Sequence, residues 1–308
     1  MAIVRTDVPM TAALCRQTVD ALLQTYPFLR SETLTTTAFG RPVQTLVIGS
    51  GERKVLYSAA HHANEWITTP VILKFVEELA RAVQEEGTLY GVQAKNIVNA
   101  ATIYTVPLVD PDGVDLVTGA VEPGTLEYET ARRLGDNYPN IPFPDGWKAN
   151  LLGVDLNLQY PAGWLQAREI KFSQGYTRPG PRDYVGRAPL NQRESIALAA
   201  YTESLDPDLV LAYHTQGKVI YWQFGDYQVP GAQALGEEFA RLSGYTLADV
   251  PYESSFAGYK DWFIQNFRRP GYTVEVGIGE NPLPLEQFDE IYRDNLGILV
   301  TAALGLPE

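Results

Sequence analysis

Four short runs that are almost wholly apolar or small limit what this chain can fold into. They are Val55 to Ala60, Ala100 to Val106, Leu209 to Tyr213 and Tyr272 to Ile278. A strand with one wet face alternates apolar and polar residues, so runs of this kind read as strands buried on both faces. Between and around them lie stretches with apolar residues three and four apart. These predict helices over Thr11 to Tyr26, Trp66 to Val83, Asn191 to Ser204, Gly231 to Ser243, Tyr259 to Phe267 and Leu285 to Leu304. Strands alternating with helices call for an α/β fold, here one domain over residues 1–308, with a mixed, mostly parallel twisted sheet and helices on both faces. Further extended segments are expected around Ser31 to Thr37, Gln44 to Ile48 and Lys218 to Phe224. Pro107 to Gly113 reads as a turn. Residues 122–188, rich in Pro, Gly, Tyr and Asn with little periodicity, read as a long loop region of the kind that walls a site.

Composition narrows the partners. With 45% hydrophobic residues the chain has ample material for a large core, and its formal net charge is −13 with no Lys/Arg cluster. That excludes a nucleic-acid surface or an anionic membrane as the expected partner. Cys15, the single cysteine, falls in a helical apolar pattern as a core thiol would. The first residues lack a basic segment followed by an apolar one, and no stretch approaches the roughly 20 apolar residues of a membrane span. A cytoplasmic location is the expectation. Glycine-rich phosphate loops and Cys-x-x-Cys pairs are absent from the sequence.

Only three histidines occur, and two follow or end predicted strands: His62, in His62-Ala63-Asn64-Glu65, and His214. In α/β sheets, sites collect at strand ends. Catalytic zinc is commonly held by three His or carboxylate ligands with one position open for water, and His62, Glu65 and His214 supply that set. His61 is a rival for His62, since it stands four residues before Glu65. Asp155, in Gly153-Val154-Asp155-Leu156-Asn157, is placed to accept the second ring N–H of a ligating His. Glu275 lies in a strand that otherwise reads as buried, so it either lines a cavity or is paired with a cation.

These segments, in this order, resemble the metallocarboxypeptidase family of zinc peptidases. His62-Ala63-Asn64-Glu65-Trp66-Ile67-Thr68 is similar to the family's first ligand motif and His214-Thr215-Gln216 to its third-ligand motif. Val154-Asp155-Leu156-Asn157 resembles the segment with an Asp behind the metal and a substrate-binding Asn, and Thr273-Val274-Glu275-Val276 the strand of the general base. The resemblance implies one zinc ion per chain on His62, Glu65 and His214, with Glu275 as base. It further implies Lys148 facing the oxyanion, and Asn157 and Tyr252 holding substrate, the last through a one-residue shift in alignment.

Two departures shape the expected substrate. Leu158 follows Asn157, where the digestive enzymes have an Arg that clamps the substrate's terminal carboxylate. A leucine makes no such contact. Trp147-Lys148 stands where the family has Trp-Arg, keeping the charge without the planar fork. With Gly146-Trp147-Lys148-Ala149-Asn150 and Asn157-Leu158-Gln159-Tyr160-Pro161, the chain resembles the bacterial branch that hydrolyses γ-D-glutamyl bonds to meso-diaminopimelate. The implied partner is a small murein peptide. Arg178, Arg182, Arg187 and Lys218 are candidates for its carboxylates. Alternatives are an amidohydrolase of N-acyl amino acids or poly-γ-glutamate, a C-terminal carboxypeptidase, and, outside enzymes, a binding protein that keeps the fold without chemistry.

Overall fold

The computed structural model describes residues 2–306. At its centre is a sheet of seven strands: β1 (Leu46–Gly49), β2 (Arg53–Ala59), β3 (Ala101–Val106), β4 (Leu209–Thr215), β5 (Val219–Tyr221), β6 (Thr246–Ala248) and β7 (Gly271–Val276). Their spatial order is β6-β5-β7-β4-β2-β3-β1. The four central strands β7, β4, β2 and β3 are parallel to one another. β1 joins β3 antiparallel, β5 joins β7 antiparallel, and β6 runs parallel to β5. This is the mixed, mostly parallel sheet expected from the apolar runs.

Ten α-helices surround it among the described residues: α1 (Ala12–Thr25), α2 (Thr68–Gln84), α3 (Ala94–Ala100), α4 (Pro111–Val117), α5 (Leu126–Gly135), α6 (Trp164–Ser173), α7 (Arg193–Leu205), α8 (Ala232–Ser243), α9 (Tyr259–Phe267) and α10 (Phe288–Leu304). Alternate residues of one strand feed different cores, which is why the central runs show no polar face. Val55, Tyr57 and Ala59 of β2 pack with Leu209, Leu211 and Tyr213 of β4 under α1, α2, α8 and α10. Leu56, Val210 and Ala212 point the other way, against α7 and α9. On α2, the fully buried Val71, Phe75 and Leu79 each contribute about 1.5–3 kcal/mol. They fix the helix that follows the His62 turn.

The structure differs from expectation in several places, among them α3 and β6, which form where no element was expected. Pro111-Asp112-Gly113 opens α4 instead of forming only a turn: Asp110 caps it by accepting the N–H of Gly113, and Pro111 stands at the first helical position. Residues 122–188 contain α5 and α6. Each of these helices buries only two or three residues, so the apolar pattern that would mark it is short and set among many polar residues. Helix α5 draws instead on end effects, with Thr125 as cap, Glu127 and Glu129 in its first turn and Arg132 and Arg133 in its last. No helix among the described residues is long and apolar enough to cross a membrane.

Candidate active site

The His62 turn is held from behind. After β2 the chain reverses at Ala60, which is left-handed at φ 50° and donates its N–H to Thr68 Oγ1 at 3.0 Å. Thr68 Oγ1 in turn donates to the Glu65 carbonyl at 2.7 Å. These bonds shape a single 3-10 turn, Ala63–Glu65, with His62 at its cap. Gly113 lets α4 lie against it: a Cβ there would stand 2.3 Å from Asp110 Oδ2 and 2.8 Å from the Ala63 Cβ. On the other side β7 and β4 pair in parallel with Glu275 opposite His214. Directly opposed residues face the same side of a sheet, so this register alone sets Glu275 beside His214.

The three donors converge. His62 Nδ1 is 3.0 Å from Glu65 Oε1, His214 Nδ1 is 2.9 Å from Glu65 Oε2, and the two Nδ1 atoms are 3.3 Å apart. All three residues offer a ligand atom within 4.8 Å of the others. His62 Nε2 faces Asp155 Oδ1 at 3.1 Å. Burial opposes a charge on His62, but Glu65 and Asp155 outweigh it and raise the imidazole to about 9. Two histidine nitrogens and a carboxylate, gathered within 4.8 Å of one another, fit zinc by donor type and number. His61 is directed elsewhere. Its ring lies in the core, with Nε2 3.4 Å from the Tyr160 hydroxyl, and burial holds it well below the usual imidazole range.

Lys148 is carried in by its neighbours: Trp147 is fully buried, the Lys148 carbonyl accepts the Ala63 N–H at 3.0 Å, and the Lys148 N–H donates to Pro181 O at 2.7 Å. Its ammonium rests on Glu65 Oε1 at 2.8 Å. Burial works against that charge and Glu65 more than offsets it, so the lysine is raised. The Glu275 carboxyl has no hydrogen bond or ion pair among the described residues. Burial and the charge of Glu65 push its carboxyl up to about 8, against the pull of Lys148. Asp155 is held well below the carboxylate range: burial would raise it, but His62 and Lys148 prevail. Asn157 Oδ1 accepts the Tyr259 N–H at 3.0 Å.

These groups line a cavity of about 270 Å³. His62, Glu65, His214, Glu275, Lys148, Asp155 and Asn157 all reach it. Tyr252 does not: it is 60% exposed, its hydroxyl accepts from Gln166 Nε2 at 2.8 Å, and its neighbours Pro251 and Ser254 form the wall instead. Of the four cations considered for carboxylates only Arg182 lines the cavity. Arg178 reaches toward Asn137, Lys218 pairs with Glu290 and Asp294, and Arg187 is exposed. Lys171, Asp183, Lys260 and Asp261 also line it and were not anticipated. Lys260-Asp261, a charged pair in the otherwise largely apolar start of α9, was the available signal. Lys171 and Asp183 had none.

The zinc carboxypeptidase family matches residues 15–297 of the chain. A γ-D-glutamyl-L-diamino acid endopeptidase of Lysinibacillus sphaericus is 45% identical over 279 residues, covering 90% of this chain and 68% of that protein. Among solved structures, carboxypeptidase A from Helicoverpa armigera superposes with a TM-score of 0.75 at 17% identity, over 99% of this chain and 76% of that one. The murein-tripeptide amidase of Escherichia coli O157 shares the fold at a TM-score of 0.56 and 17% identity, over 90% of this chain and 93% of that one.

Proposed function

Because the chain belongs to the zinc carboxypeptidase family and is thus a metallopeptidase, we propose that it hydrolyses the amide bond between γ-linked D-glutamate and meso-diaminopimelate in murein peptides. The observation that carries the chemistry is the convergence of His62, Glu65 and His214 on one point with Glu275 unpaired beside them. The relative from Lysinibacillus sphaericus, by its name and its 45% identity, supports the substrate class. Leu158 at the cavity wall, where a terminal-carboxylate clamp would otherwise stand, agrees with it. In this reading residues 1–308 act as one catalytic domain, since its ligands arrive from two separate strands of a single sheet.

His62, Glu65 and His214 would hold one zinc ion, and Asp155 fixes the His62 ring through Nε2. Zinc, when bound, supplies Lewis acidity toward the amide carbonyl and acidifies water. Glu275 takes the proton of the water that attacks the carbonyl carbon, then passes it to the nitrogen as the C–N bond breaks. Its side chain reaches the cavity without a protein partner among the described residues, so it is free for both halves of that transfer. Lys148, whose ammonium rests on Glu65 Oε1 at 2.8 Å, would turn its remaining N–H groups to the oxygen that gains charge, and loss of such a donor costs on the order of 3 kcal/mol of barrier. Asn157, whose side-chain N–H groups have no protein partner among the described residues, orients the peptide; Tyr252 would join it only by leaving Gln166.

The test is mass spectrometry of the zinc-loaded protein with L-Ala-γ-D-Glu-meso-diaminopimelate beside an α-linked tripeptide. Cleavage of the γ-linked peptide alone, abolished by Glu275→Gln, is expected. Removal of the last residue from the α-linked peptide would replace this reading with a C-terminal carboxypeptidase.

A further inference from the structure

We propose that Arg182 is the carboxylate anchor of this cavity, gripping a free carboxylate of the substrate through the outer edge of its guanidinium; this specificity role rests on the reaction proposed above.

The inventory of cations on the walls leads to it. Four line the cavity: Lys148, Lys171, Arg182 and Lys260. Lys148 is committed to Glu65 at 2.8 Å. Lys260 is buried, donates to the Gln223 carbonyl at 2.6 Å and pairs with Asp261. Lys171 pairs with Asp183 Oδ1 at 2.6 Å. Arg182 uses Nε alone, on Asp183 Oδ2 at 2.7 Å. Its Nη1 and Nη2 donate to no protein group among the described residues. Asp183 thus meets two cations, and Arg182 is the one whose paired N–H groups are free.

The backbone under Arg182 is firmly tied to the ligand layer. Pro181 O accepts from both Lys148 N and Ala149 N, at 2.7 and 2.9 Å. Asp183 N donates to Asp155 Oδ2 at 3.2 Å, and Asp155 N donates to Tyr184 O at 2.9 Å. Asp183 itself is left-handed, at φ 64°. A non-glycine residue kept in that region, with its side chain clamped by two cations, indicates a segment held in place by its surroundings. A guanidinium edge presents two parallel N–H groups that match the two oxygens of a carboxylate, and a fixed one gives direction as well as charge. Leu158, on the same cavity, offers no donor.

A murein tripeptide carries such a carboxylate on either side of the bond to be cut, on the γ-linked glutamate and on the diaminopimelate that leaves. The experiment therefore compares L-Ala-γ-D-Glu-meso-diaminopimelate with two carboxamide versions, one blocked at the glutamate α-carboxyl and one at the diaminopimelate carboxyl beside the scissile nitrogen. Arg182→Met should lower kcat/KM on the unmodified peptide by about 10- to 100-fold, chiefly through KM. Wild type should lose a similar factor on one carboxamide, and on that peptide Arg182→Met should lose little more. The peptide for which the two losses fail to add names the carboxylate. Arg182→Lys, which keeps the pair with Asp183 but not the two-pronged edge, should fall between. Losses that add on both carboxamides, or a variant as efficient as wild type, would overturn the proposal. Calorimetric binding of the unmodified peptide to Glu275→Gln, with and without Arg182→Met, reads the anchor independently of turnover. If wild type cleaves none of the peptides, the proposed reaction fails, and unchanged binding in the double variant is what would sink the anchor.

Discussion

Glu65 and Asp155 are buried beside cations and imidazoles, whereas Asp110 and Glu194 are buried beside other acids. Lys148, His62 and His214 surround Glu65 and hold it well below the carboxylate range although burial alone would raise it. Around Asp110, burial and the nearby Glu194 act together, and the single N–H from Gly113 does not offset them, so Asp110 is held well above that range. Its Oδ2 has no hydrogen-bond partner. Glu194, under burial and the charge of Asp112, rises to about 7. Burying a bare charge is costly in both places. One group keeps its charges by pairing them; the other sheds them by holding protons. Only the first offers anionic donors to a metal. Glu275 stands between the two, facing the cluster of His62, Glu65 and His214 yet pushed up to about 8.

The largest expected effect tests that intermediate position. Glu275→Gln should lower kcat by about 10²- to 10⁴-fold while zinc binding, measured by equilibrium dialysis, stays as in wild type. Lost zinc would place Glu275 among the ligands instead. Next comes Glu194. The folded protein holds a proton here that the unfolded chain releases above its ordinary 4.5, so stability falls as pH rises from there to about 7 and stays reduced above. The full loss is about 3 kcal/mol. Glu194→Gln should recover much of it at pH 8 and little at pH 5 in urea unfolding; an equal effect at both pH values would mean that Glu194 is charged throughout.

Asp155→Asn should weaken zinc binding by about 10- to 100-fold in competition with a chelator. Its stability contribution has the opposite sign of pH dependence from that of Glu194: present above its ordinary 3.8 and lost on acidification, because the folded state lowers its pKa. Asp110→Asn gives the smallest change, within about 1 kcal/mol, since an amide replaces a carboxyl that already holds a proton and still accepts from Gly113. Its zinc affinity should match wild type. A loss there would erase the distinction between the two groups.

The central strands and the longer covered helices were legible because burial imposes a period or an unbroken apolar run on the residues themselves, while the short α3, α4 and β6 were not. Helix α9 was anticipated at both ends, Tyr259 and Phe267. The two helices within 122–188 were not, since they are short and bury few residues. The His/Glu/His set was legible as well, because each member stands in or directly after a strand and few residue types have the chemistry. The choice between His61 and His62 required the turn at Ala60 and the Tyr160 pocket that takes in His61.

Local order in the chain was therefore enough to specify a mixed sheet, its two-faced cover and the residue types of a candidate metal site. What the tertiary structure alone decided is which charges meet. Lys148 lands on Glu65, Arg182 keeps a free edge because Lys171 shares Asp183, and Tyr252 turns to Gln166. Such pairings depend on distances of a few ångströms between residues far apart in the chain, and electrostatic energy at that range is set by position and burial, neither of which a residue's identity encodes.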